Sequence, residues 1–194
     1  MGPPDASCAW SEESSPLARA FIEGGEVFQI RLCGSTVCRR ALLSQEDLAR
    51  ASPYRVLRGE RLFPREIASL SGGRLAVSAA GEYDSLVAVF RGKRFQFRLL
   101  SDFGPIAGLR SSPSGHYLVA EEEGQPYAFR IGSRATDVSL PRGITTEHAI
   151  VFSPDERWMA VATRASVWIL RTSAPEGRLI RIPLVVCELA WFPS

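Results

Sequence analysis

The chain has 194 residues, 45% hydrophobic, 23% charged and 9% aromatic, with 16 Gly, 13 Pro and a formal net charge of +2. That profile excludes a disordered tail, a collagen, a coiled coil and a disulfide-dense scaffold, and the length allows one domain or at most two small ones. No apolar run reaches the roughly 18 to 20 residues of a membrane-spanning helix, and Met1 to Glu13 lacks a charged start followed by an apolar stretch, so neither membrane insertion nor export is expected.

From the N-terminus, Cys8 to Ser11, Leu17 to Ile22 and Val27 to Leu32 read as successive strands of a first unit. Cys33 and Cys38 flank Gly34, Ser35, Thr36 and Val37, a spacing that suits either a disulfide across a turn or half of a metal site. A zinc site needs further ligands at recognisable spacing, and only Cys8, Cys187, His116 and His148 remain, so no metal and no cofactor is expected. Four cysteines in a chain of this length read as small buried apolar residues, with a reducing cytoplasm as the expected compartment and an oxidising one as the alternative.

Residues 44 to 64 form an insertion after the first unit. Ser44 offers an N-cap, Glu46 and Asp47 an acidic first turn, and Pro53 a stop, which together predict one short helix. The insertion also carries Arg50, Arg55, Arg58 and Arg61 on a stretch the surrounding pattern does not require, and these four are the candidate partner contacts.

The rest of the chain repeats itself. Ser112 to Ala120 is echoed by Ser153 to Val161, 41 residues later, and more weakly by Ser71 to Ser78 upstream. Each copy is followed by another apolar strand: Leu86 to Phe90, Tyr127 to Ile131 and Val167 to Leu170. Units therefore fall at about 8–43, 65–100, 106–140 and 147–183, each of four short strands, with 187–194 as the start of a further unit or a closing strand. Pro, Gly, Ser and Asp occupy the turns, where tight connections need fixed or positive φ. The second strand of each unit is almost continuously apolar and the fourth alternates, as expected of sheets packed between neighbouring sheets with only the outermost strand wetted. In Arg94 to Leu99, the alternation predicts Arg94, Gln96 and Arg98 on a solvated face and Phe95, Phe97 and Leu99 on a buried one.

The Ser-Pro-Asp turn followed by an aromatic and an apolar strand resembles the repeats of TolB-like and WD40-like β-propellers, over most of the chain after about Arg65. It departs from WD40 proper, since no Gly-His pair opens a repeat and no Trp-Asp closes one. The resemblance implies an all-β fold, a propeller-like array of about four four-stranded blades forming a single domain over 1–194. A partial propeller, a part of a larger assembly and a four-bladed ring with a spare strand all fit the count. An open arc would leave a sheet face and an edge available to another chain, so a homo-oligomer or assembly with other blades is among the expected partners.

Little in the sequence points to chemistry. There is no phosphate loop, His-Glu-x-x-His helix, Gly-x-Ser-x-Gly elbow or EF-hand loop. Asp155 and Glu156 read as a solvated repeat turn, Glu121 to Glu123 as a hairpin loop, and His116 and His148 as structural histidines. Trp10, Trp158, Trp168 and Trp191 recur at repeat-related places and are expected in the core. Of 23 basic residues all but Lys93 are Arg, a bias that GC-rich coding explains, and they are interspersed with 21 acids, so nucleic acid is not an expected partner. The reading is a non-catalytic protein interaction scaffold. Its alternative is the propeller part of a larger enzyme, resembling the prolyl-oligopeptidase group, whose catalytic domain lies outside these residues.

Overall fold

The computed structural model describes residues 18–33, 36–52, 61–82, 85–102, 106–141, 144, 150–163, 166–173, 180–183 and 189, with the side chains of 18, 19, 31–33, 36–38, 101 and 102 left aside. The chain divides into two compact units, Met1–Ala107 and Gly108–Ser194.

The first unit opens with β1 (Ala18–Glu23), β2 (Glu26–Cys33) and β3 (Thr36–Leu43), an antiparallel meander in that order. Gly24 and Gly25, at φ 58° and 80°, make the two-residue turn between β1 and β2, which only residues free of a Cβ adopt without strain. The expected strand at Cys8 to Ser11 lies outside the described residues, so this sheet shows three strands. The register sets Cys33 opposite Thr36 and Cys38 opposite Arg31; Cys8, Cys187 and the thiols of Cys33 and Cys38 lie outside the described residues.

The short helix α1 (Gln45–Ala49) follows, closed by a capping box in which the Asp47 amide donates to Ser44 Oγ and the Ser44 amide donates to the Asp47 carboxylate at 3.0 Å. The next sheet runs β4 (Phe63–Leu70), β5 (Arg74–Ala80), β6 (Ser85–Arg91) and β7 (Arg94–Asp102) in sequence order. One of its faces, with Ile67, Leu75, Val77, Ala79, Leu86, Ala88 and Phe90, packs on Ala20, Ile22, Val27 and Leu43 of the first sheet. Leu48, Ala51 and Leu62 are buried in the same cluster. The ends of the insertion are thus part of the core, because a five-residue helix has too little propensity to stand without tertiary burial.

Two β-bulges in β7 overturn the simple alternation expected there. The ladder sets Phe95 opposite Phe90, Phe97 opposite Val89 and Arg98 opposite Ala88, with one register shift between Phe95 and Phe97 and a second between Arg98 and Leu100. Each extra residue flips the faces that follow it. Arg98 consequently lies on the core side of the sheet with Phe90 and Ala88, where its Nε–H donates to the carbonyl of Ala51 at 2.8 Å.

The second unit contains β8 (Ile106–Ser111), whose first two residues fall in the first unit, β9 (Tyr117–Glu122), β10 (Gln125–Ile131) and β11 (Ala135–Val138), hydrogen-bonded in sequence order. Its other sheet is β12 (Ile150–Phe152), β13 (Trp158–Ala162), β14 (Val167–Arg171) and β15 (Ile180–Ile182), also in order. Tyr117, Val119, Ala128 and Val138 from the one sheet meet Ile150, Met159, Val161 and Leu170 from the other. The rings of Tyr117 and Phe152 stack at 5.3 Å across this junction. The acidic run is a hairpin turn, with Glu122 opposite Gln125 and positive φ at Glu123 and Gly124.

The tryptophans divide. Trp168 is half-buried against the core, with Arg181 over its ring at 5.5 Å. Trp158 is 36% exposed, contrary to expectation. It starts β13 opposite Arg171, on the face turned away from Met159, because neighbouring strand residues point to opposite sides. Trp10 and Trp191 lie outside the described residues.

The architecture is all-β, an array of four antiparallel blade-like sheets joined as meanders. Phe90→Ala, at a fully buried position whose ring meets Phe95 edge to face at 5.9 Å, should destabilise by about 3 to 5 kcal/mol. Ile180→Ala, at a side chain 55% exposed, should change stability by less than about 0.5 kcal/mol. Urea unfolding followed by circular dichroism measures both.

Candidate functional site

The two strongest sequence repeats fold into matching turns. Between β8 and β9, the Gly115 amide donates to the Ser112 carbonyl at 2.9 Å, and the Tyr117 amide donates to Ser112 Oγ at 2.9 Å. Between β12 and β13, the Glu156 amide donates to the Ser153 carbonyl at 2.9 Å, and the Trp158 amide donates to Ser153 Oγ at 3.0 Å. In each, the serine hydroxyl closes the turn onto the first residue of the following strand. Gly115 takes φ 71° without strain, whereas Glu156, its counterpart 41 residues on, sits at φ 54°. A non-glycine residue held in the left-handed region costs on the order of 1 kcal/mol or more, so something must hold it there.

Its own contacts supply the reason. The Glu156 side chain is only 8% exposed. Oε1 accepts from the Ser114 amide, Oε2 lies 3.2 Å from His116 Nδ1, and the Thr172 hydroxyl donates to the Glu156 carbonyl. Burial by itself would raise the carboxyl. The Ser112 and Ser114 hydroxyls, the Ser114 amide and the His116 ring together outweigh that and hold it below the ordinary glutamate value. The expectation of a solvated acidic pair therefore holds for Asp155 alone. Asp155 is exposed, its carboxyl lowered by the Ser153 hydroxyl and then the Arg157 amide. Glu156 instead ties the second sheet of this unit to the turn of the first.

Ser114, His116 and Glu156 have the composition of a nucleophile relay without its geometry. Ser114 Oγ lies 2.6 Å from His116 Nδ1, the same ring nitrogen that faces Glu156. A relay needs hydroxyl and carboxylate on opposite ring nitrogens, so that one accepts the proton while the other fixes the tautomer. Here both meet the same ring nitrogen, and the arrangement suits a structural clasp. His116 itself is 59% exposed, in keeping with a hydrogen-bonded surface histidine; His148 lies outside the described residues.

Beside the clasp is an open depression of about 520 Å³ lined by Tyr117, Glu156, Arg157, Arg171, Thr172 and Ser173. The Thr172 amide donates to the Arg157 carbonyl at 3.1 Å, which fixes the lip between the turn and the end of β14. Arg157 is 78% exposed and reaches Asp155 only at 3.7 Å. Among the described residues no group of three or more His, Cys, Asp or Glu side chains is placed to hold a metal ion.

Of the four arginines proposed from sequence, Arg50 and Arg61 are among the described residues. Arg50 caps α1 and pairs with Glu46 at 2.8 Å and Asp47 at 3.4 Å on its own helix. Arg61 is exposed just before β4, and Arg55 and Arg58 lie outside the described residues. Arg157 and Arg171 escaped the sequence reading. The repeat alignment held the signal, since it sets Glu156 on Gly115, Arg157 on His116 and Arg171 on Arg130.

No protein-family model and no curated protein sequence matches the chain. Solved structures do. The β-propeller domain of Cps50 (Swd1) from Myceliophteria thermophila aligns with TM-score 0.54 at 13% identity, over 87% of this chain and 56% of that one. A TolB candidate from Agrobacterium tumefaciens aligns at 0.50 and 16% identity, over 90% and 61%. Apo AztD from Citrobacter koseri aligns at 0.51 and 10% identity, over 90% and 47%. The fold is that of β-propeller blades, as the repeats implied. The chain spans about half to three fifths of the length of these structures.

Glu156→Gln tests the clasp. At neutral pH it should lower stability by about 1 to 3 kcal/mol, because charge-assisted hydrogen bonds to a buried carboxylate are lost. The wild-type contribution should be whole above the ordinary glutamate value of about 4.3 and vanish as the pH falls through the lowered value, where the carboxylate takes up its proton. Thermal melts of both proteins from pH 7 to 3 should therefore converge at the acidic end.

Proposed function

We propose that this protein is a non-catalytic interaction module, in which propeller blades present a polar, arginine-bearing surface to a protein partner. The observation that carries the reading is the contrast between strands and loops in the second unit. Its strands are occupied with apolar packing and Glu156 with a clasp, while the lip formed by Arg157, Arg171 and Ser173 is open to solvent. Loops on a rigid β scaffold are where binding residues concentrate, and a fold by itself assigns no chemistry. No helix among the described residues is long and apolar enough to cross a membrane. The proposal takes a reducing cytoplasm as its setting and a protein, including a second copy of this chain, as its partner class.

Chemical cross-linking of the purified protein in lysate of its source organism, with light scattering of the purified chain alone, tests the reading. A partner recovered in stoichiometric amount, or a defined homo-oligomer, cross-linked near residues 153–157 or 171–173, is the expected result. Recovery of no stoichiometric partner from a chain that is monomeric, or turnover of peptide substrates by the purified chain, would overturn it.

A further inference from the structure

The open depression has a charge pattern more specific than a general docking surface. Arg171 ends β14 directly opposite Trp158, so the guanidinium and the half-exposed indole share one face. Among the described residues no carboxylate pairs with Arg171. Arg157 has only the long contact to Asp155, between groups 78% and 55% exposed, and such a pair is worth little in water. Exchange of that contact for a ligand carboxylate is therefore close to neutral.

Glu156, the acid in the lining, does not occupy the guanidiniums. Its oxygens are engaged by the Ser112 to His116 turn, and its low exposure keeps the carboxylate on the inner side of the lip. The Thr172 hydroxyl proton is committed to the Glu156 carbonyl, which leaves Ser173 as the exposed hydroxyl beside the two arginines. Tyr117 supplies apolar surface to the lining, and Trp158 lies outside it, beside Arg171 on the strand pair. A volume of about 520 Å³ admits one or two side chains.

We infer that this depression captures an acidic side chain of a partner peptide, with Arg171 as the principal anchor, Arg157 as the second and Trp158 receiving an apolar neighbour. The inference rests on the interaction-module reading and names the chemistry of its partner. A planar guanidinium matches a carboxylate with two parallel hydrogen bonds. A polyanion is a poor fit, because the nine arginines of residues 108–194 are balanced by nine acidic residues.

The test is calorimetric titration of the whole chain with an acetylated and amidated six-residue peptide holding two glutamates between leucines, beside its glutamine counterpart and inorganic phosphate. The glutamate peptide should bind at least tenfold more tightly than the glutamine peptide and weaken as salt is raised. Arg171→Gln should lose about tenfold and Arg157→Gln a smaller factor, with melting temperatures unchanged because both side chains are exposed. Arg40→Gln, in the first unit, should leave binding intact. Equal affinity for the two peptides, indifference to Arg171→Gln, or tighter binding of phosphate at the same residues would overturn the inference. A stoichiometric partner captured equally by wild type and Arg171→Gln would overturn this inference alone and leave the broader reading standing.

Discussion

A short four-stranded sheet with apolar side chains on both faces is insoluble by itself, and everything else in this protein follows from how that surface is removed from water. The strands β5 and β6 bury nearly every residue, from Leu75 to Ala79 and from Ser85 to Phe90. One face of that sheet is covered by the first sheet of the same unit through Ile22, Val27 and Leu43. The same solution recurs in the second unit, where Tyr117 and Val119 oppose Met159 and Val161. At roughly 25 cal/mol per Å² of apolar surface, burial of this kind outweighs any single hydrogen bond or ion pair in the chain. The outermost strand escapes the demand, and β15 accordingly has every residue exposed.

Packing of sheet on sheet brings the connecting turns together, and polar chemistry enters there. The Ser153 turn places Glu156 where its carboxylate meets the Ser114 amide and the His116 ring across the junction. A glycine would relax the backbone but supply no carboxylate, so the left-handed conformation of Glu156 is held by the contacts it makes. The same constraint orients its neighbours. With Glu156 drawn inward and Thr172 bonded to its carbonyl, the exposed groups of the lip are Arg157, Arg171 and Ser173. Stability and the proposed recognition thus share a turn, and the partition between them is set by which side chain faces the junction.

The repeats were legible because they depend on local rules. Apolar runs of five or six residues, broken by Ser, Pro and Gly at intervals near 41, mark strands and turns without knowledge of any distant contact. The capping box of Ser44 and Asp47 is equally local, and the short helix stands where those residues set it. Side-chain direction was less accessible. The alternation of Arg94 to Leu99 pointed Arg98 to water, yet the bulge between Phe95 and Phe97 in β7 turned it onto Ala51. Trp158 resembled a core residue by its place in the repeat, but its parity on β13 set it outward beside Arg171.

By itself the sequence determined the class of structure: short antiparallel strands, tight serine-rich turns and sheets of propeller type, since hydrophobic period and turn chemistry are written in neighbouring residues. Only the tertiary structure decided which polar groups are free. Whether a carboxylate such as Glu156 is solvated or clasped, and whether an arginine such as Arg171 stays exposed beside it, depends on residues far apart in the chain. Electrostatic availability is a property of distance and burial, and neither is carried by composition or spacing.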